Sequence, residues 1–367
     1  MPVILALAAC SPPRGIEAAL VLADIAAGAK DSRLKRTTPE PGREPVRYTV
    51  EGRDRRGDLY RPGEPALAAL VLVPGAAPAG KDDPRLVAFA RTFARARFVV
   101  LVPDIENLRA LQVEPEDAVA IADAVRHLAG TIGDDGAVGI VAISYAAGPA
   151  ILAALDPAAG PKVRFVVAIG GYYDIEAVVT FFTTGFYRDR ATGSWLHRTP
   201  NEYGRWVFAK SNAARLDDPR DRALLHAIAE RKMRDLAAEV SDLVERMGAD
   251  GRAVMALLDN RDPERSRALI ARLPRAVRET MAGLDLKRRE LGALAARLIL
   301  THGRDDAIIP YTESRALAAA VGDRAELFVV DSLAHVDLGP TGIADGLVLW
   351  QAVYAILAER DAMPVPR

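Results

Sequence analysis

From residue 46 onward the chain alternates short, wholly apolar runs with longer stretches whose apolar residues recur at helical spacing. "AALVLVPG" (68–75) precedes the helical "PRLVAFARTFARA", and "RFVVLVPD" (97–104) precedes "PEDAVAIADAVRHLAG". "GAVGIVAIS" (136–144) precedes "YAAGPAILAAL", and "VRFVVAIGG" (163–171), "ARLILTHG" (296–303) and "AELFVVD" (325–331) follow. Such runs are too short for buried helices, rich in β-branched residues and apolar on both faces. That is the pattern of parallel strands covered by helices on each side. The expected fold class is therefore α/β, a doubly wound, mostly parallel sheet. "VRYTVEG" alternates like a half-buried strand and "DLYRP" closes a hairpin with it, so an antiparallel pair opens the sheet.

Two regions depart from the alternation. Residues 1–45 hold an apolar start, a helical stretch over 16–27 and a polar segment from Lys30 to Glu44 that reads as a loop or tether. Residues 172–294 carry helical patterns and no convincing strand, and the block is far too long for a loop inside a compact domain. We read it as a helical cap inserted between the core segments 46–171 and 295–367.

Composition excludes several classes of function. With 48 basic and 49 acidic side chains the net charge is −1, so no field favours nucleic acid as a partner. Cys10 is the one cysteine, which rules out an intrachain disulfide and a thiolate metal cluster. The sequence leading to it, Leu7-Ala8-Ala9-Cys10, resembles the lipobox of bacterial lipoproteins. The resemblance implies a lipid anchor on Cys10, membrane contact through that anchor alone, and a place in the cell envelope. The alternative is a cytoplasmic chain with a buried free cysteine.

Ser144 ends the run "GIVAI" and opens a helix, with Ala142 and Ala146 two residues to either side. A nucleophile elbow needs small residues at those places, because the turn is too sharp for larger side chains. A serine hydroxyl also needs a base. Of five histidines, His127 lies mid-helix, His197 and His226 fall in the cap, and His302 sits at a strand end. His335 stands in "VVDSLAHVDLG", just after the last strand and at the same sheet edge as Ser144. "LILTHGRDDAIIP" places Asp305 and Asp306 at that edge too. A carboxylate there could hold the imidazole by its other nitrogen.

Serine, then acid, then histidine, each after a successive strand, is the order of α/β-hydrolases. From about Val46 to Leu357 the chain resembles that fold family. "HGRDDAIIP" is similar to the family's acid loop, which assigns the acid to Asp306, with Asp174 after "GGYY" as the alternative. "LAHVDL" is similar to its histidine loop, and "VLVPGAA" stands at its oxyanion loop with Pro74 in place of the usual histidine. The resemblance implies an oxyanion hole from the backbone N–H groups of Ala76 and Tyr145. It implies no metal and no organic cofactor.

Ten aromatics fall between Tyr172 and Phe208. They either roof the site, with Phe181, Phe182, Phe186 and Trp206 forming an acyl or aryl pocket, or pack the cap onto the core. The expected activity is hydrolysis of a small-molecule carboxylic ester through an acyl-enzyme. An amidase, peptidase or thioesterase with the same triad is the alternative within hydrolysis. A non-catalytic envelope protein with this scaffold is the alternative outside it.

Overall fold

The structure is a computed structural model and describes residues 11–133, 136–335, 337–338 and 342–363. Cys10 lies outside them. The first strands, β1 (Gly42–Val50) and β2 (Arg53–Arg61), form an antiparallel hairpin. Then come β3 (Ala68–Val73), β4 (Phe98–Pro103), β5 (Val138–Ile143) and β6 (Val163–Ile169). A cap hairpin, β7 (Phe186–Arg188) with β8 (Trp195–His197), precedes β9 (Arg297–Gly303) and β10 (Ala325–Val330).

The main sheet has eight strands in the order β1-β2-β4-β3-β5-β6-β9-β10. Pairings from β4 to β10 are parallel, whereas β2 meets β4 antiparallel. Alternate residues of one strand feed two different cores, as the two-residue period of a pleat requires. Ala69, Val71 and Val73 of β3 enter a core with the helices Asp117–Ile132, Ala147–Ala154 and Tyr311–Val321. Ala68, Leu70 and Leu72 face the other layer, built from the helices Pro12–Ala27, Pro84–Arg95 and Ile343–Asp361.

The insertion is helical, as its periodicity implies, and has a separate core that includes Trp206, Leu225, Val254 and Val277. The short hairpin β7–β8 corrects the strandless reading of this block. Three-residue strands are too brief to show an alternation. Entry to and exit from the cap are tied together. Asp174 caps the helix Ile175–Thr184 by accepting from the backbone N–H groups of Glu176 and Ala177. Its other oxygen meets Lys287 Nζ at 2.9 Å, and Lys287 N–H donates to the Tyr173 carbonyl at 3.0 Å.

The segment read as a tether is instead docked. The helix Arg33–Thr37 lies within it, Lys35 pairs with buried Asp24, and Glu40 pairs with Arg91 and Arg95. These ion pairs cross from 24 to 35 and from 40 to 95, so no local pattern announces them. The helix Pro12–Ala27 is part of the sheet's outer layer, burying Ala18 and Val21 fully. Among the described residues no helix is long and apolar enough to cross a membrane.

Candidate active site

Ser144 follows β5 directly and has φ +58°, a left-handed conformation that a non-glycine residue adopts at a cost of about 1–2 kcal/mol. Ala142 and Ala146 are wholly buried on either side of the turn. A methyl group in either place already fills the space. His335 has the same φ, +58°. The two reacting side chains are thus both carried on strained backbone.

These side chains meet. Ser144 Oγ lies 2.6 Å from His335 Nε2, and His335 Nδ1 lies 2.7 Å from Asp306 Oδ2. A carboxylate only accepts, so Nδ1 carries the proton and Nε2 is left to accept from the serine hydroxyl. Asp306 is 2 % exposed, and its Oδ1 accepts from the N–H groups of Ile308 (2.7 Å) and Ile309 (2.9 Å). Burial works against its charge, yet hydrogen bonds from His302 and His335 outweigh that and hold the carboxyl well below its usual range.

His302 was legible only as a strand end. It is fully buried behind the triad, with Nε2 2.9 Å from the Ile309 carbonyl and 3.2 Å from Asp306 Oδ2. Because a carbonyl accepts, Nε2 carries the proton, and Nδ1 accepts from Ser314 Oγ at 2.7 Å. His302 therefore positions the acid. The signal available in the sequence was its spacing, four residues before Asp306.

Two glycines let these loops converge. Gly170 has φ +64° at the end of β6, and a Cβ there would come within 3.3 Å of His335 Nδ1. At Gly303 a Cβ would fall 1.7 Å from the Leu333 carbonyl oxygen, so only glycine admits the histidine loop beside β9. Pro74-Gly75-Ala76 lies across from the serine, with the Cβ position of Gly75 3.7 Å from Ser144 Cβ. The N–H groups of Ala76 and Tyr145 have no partner among the described turn and loop hydrogen bonds. Both stand beside the nucleophile. Asp174, the alternative acid, is taken up by its helix cap, Lys287 and Arg190.

A cavity of about 690 Å³ opens onto Ser144 and His335. Of the four candidate pocket aromatics, only Phe182 lines it. Phe181 is fully buried against Tyr187, with ring centroids 5.6 Å apart. Phe186 packs on His197, and Trp206 belongs to the cap core beneath Lys232. These three are corrections: residue type marks an apolar ring, but its place within a helix or strand decides which side it faces. The cavity wall instead draws on Val207, Phe208 and Met281 from the cap and on Leu22 and Ile25 from the N-terminal helix. Among the described residues no cluster of His, Cys, Asp and Glu could hold a metal ion.

Comparison with solved structures bears on this arrangement. A protein from Legionella pneumophila provisionally described as a hydrolase is similar over 90% of this chain and 95% of its own, with 14% identity and a TM-score of 0.52. The chain has the α/β-hydrolase fold. Weaker likenesses include a hyperthermophilic esterase from Pyrobaculum calidifontis (14% identity, 96% of this chain, 92% of that one, TM-score 0.46). Another is the Pyrococcus horikoshii acylaminoacyl peptidase (11% identity, 88% of this chain, TM-score 0.45). This chain spans about two fifths of that peptidase, 41% of its length. No family model matches the sequence, and no curated protein does.

Proposed function

We propose that this protein is a serine hydrolase that cleaves carboxylic esters through an acyl-enzyme on Ser144. The observation that carries the reading is the unbroken relay from Ser144 Oγ to His335 Nε2 at 2.6 Å and from His335 Nδ1 to Asp306 at 2.7 Å.

In this reading His335 takes the hydroxyl proton as Ser144 Oγ attacks the ester carbonyl carbon. The resulting oxyanion forms against the N–H groups of Tyr145 and Ala76, each worth about 3–4 kcal/mol in the transition state. Asp306 keeps the imidazole in the tautomer that can accept, then stabilises the imidazolium. The imidazolium returns its proton to the departing alkoxide. Water, deprotonated by the same Nε2, then attacks the acyl carbon and frees Ser144.

The cavity wall disfavours substrates that carry a free ammonium group. Its carboxylates, Asp24 and Asp83, are already engaged, the first by Ser32, Thr92 and Lys35 and the second by the N–H of Arg85. Neither is free to receive a substrate ammonium group.

The test pairs labelling with a substrate panel. A fluorophosphonate should modify wild-type protein once, at Ser144, and Ser144→Ala should abolish both labelling and p-nitrophenyl ester turnover, the latter by about 10⁵-fold or more. Folded protein that resists the label would sink the reading. Faster turnover of aminoacyl arylamides than of esters would move it to an amidase or peptidase.

A further inference from the structure

The cavity at Ser144 has two kinds of wall. Toward the cap it mixes apolar side chains such as Phe182, Val207, Phe208 and Met281 with hydrogen-bonding ones, among them Asn201, Tyr203, Ser211 and Thr280. On the other side it runs into the layer between the sheet and the outer helices. There it is bounded by Leu22 and Ile25, Phe93, Val167, and Val353 with Ile356. Leu22 and Ile25 are three residues apart on the helix Pro12–Ala27, and Val353 and Ile356 have the same spacing on the helix Ile343–Asp361. Each pair therefore presents one face of its helix to the same space.

The Asp24 and Thr92 side chains on this second side are already satisfied. Thr92 Oγ1 donates to Asp24 Oδ2 at 2.7 Å, and the other Asp24 oxygen receives Lys35 and Ser32. Apart from the Thr301 hydroxyl, which shares the Ile299 face of β9, a ligand there finds apolar surface. The whole cavity, at about 690 Å³, has room for on the order of twenty water-sized groups. An acetyl group would leave most of it empty.

We infer that the substrate is an ester of a long-chain aliphatic acid, whose chain lies between the sheet and the N-terminal helix while the alcohol part faces the cap. The inference deepens the proposed serine-hydrolase activity and rests on it. The division of labour follows from chemistry. A flexible alkyl chain gains from every methylene it buries and asks for no directed contact, which suits the aliphatic side. An alcohol moiety carries oxygens, which suits the side with Asn201, Ser211 and Thr280. The N-terminal helix is then a specificity element, and Ile25 is a residue that sets chain preference without touching the reacting atoms.

The experiment is a series of alkyl fluorophosphonates from ethyl to dodecyl, with the rate of Ser144 modification followed by mass spectrometry on the full chain. Each buried methylene should raise the rate by about fourfold until the arm is full, giving a dodecyl-to-ethyl ratio of at least about 100. Ile25→Trp, which fills the arm, should lower that ratio by at least about tenfold. Ile25→Asn, at a half-buried position that tolerates a smaller side chain, should lower it as well by making the wall polar. A flat or falling series overturns the inference and leaves the serine-hydrolase reading intact. So does a rising series whose ratio is unchanged in both variants, because the chain then lies elsewhere. If no member of the series modifies Ser144, the serine-hydrolase reading fails with it.

Discussion

The carboxyl edge of the sheet and the cap above it are built on different principles. At the edge, position is set by backbone: left-handed residues at 144 and 335, and a glycine at 303 that admits the Leu333 carbonyl. In the cap, position is set by side chains packed between helices, with Trp206, Leu225 and Val277 at the centre. Backbone constraints allow almost no substitution, whereas apolar packing accepts many combinations of similar volume. The same molecule therefore fixes the Ser144–His335 geometry by backbone and leaves the packing of its cap open to change.

That contrast can be broken at three places. The largest effect belongs to the edge. Asp306→Asn should lower kcat by about 10⁴-fold with little change in KM, because the amide can favour the wrong imidazole tautomer. Steady-state ester hydrolysis measures it, and a loss under tenfold would mean that the relay is not used.

A cap variant should behave in the opposite way. Trp206→Ala removes a buried indole and should cost about 3–5 kcal/mol of stability while acyl-chain preference stays as it was. Urea unfolding beside an ester chain-length panel separates the two quantities. A changed preference with unchanged stability would return Trp206 to the substrate wall.

The smallest effect lies at the seam between the two regions. Glu313 on the core helix accepts from the N–H groups of Tyr173 (3.1 Å) and Asp174 (2.7 Å), where the cap begins. Burial pushes its carboxyl up to about 7, against the pull of those N–H groups and Arg190. The folded state thus holds a proton that the unfolded chain releases near pH 4.5, so stability falls as pH rises from there to about 7. Glu313→Gln keeps the acceptor oxygen without the charge. It should match wild type at pH 4 and exceed it by about 1–3 kcal/mol at pH 8, read from denaturant midpoints at both values.

Much of the edge was legible in the sequence because its signals are local. Runs such as "AALVLV" are apolar at every position only where helices cover both faces, and Ser144, Asp306 and His335 each sit within a few residues of a strand end. Other features depend on contacts that sequence distance hides. The docking of residues 30–44 rests on Glu40 meeting Arg95, and the support of Asp306 by His302 rests on a shared burial that spacing alone does not prove. Phe181 and Phe182 are neighbours of the same type, yet one is packed on Tyr187 and the other faces the cavity. A helix turns about 100° between them, and nothing local says which of the two the cap will cover.

The N-terminal helix Pro12–Ala27 gives one wall of the cavity from 16 residues that precede every strand of the fold. Because this helix carries none of Ser144, Asp306 and His335, substitutions along it reshape that wall and leave those three residues unaltered.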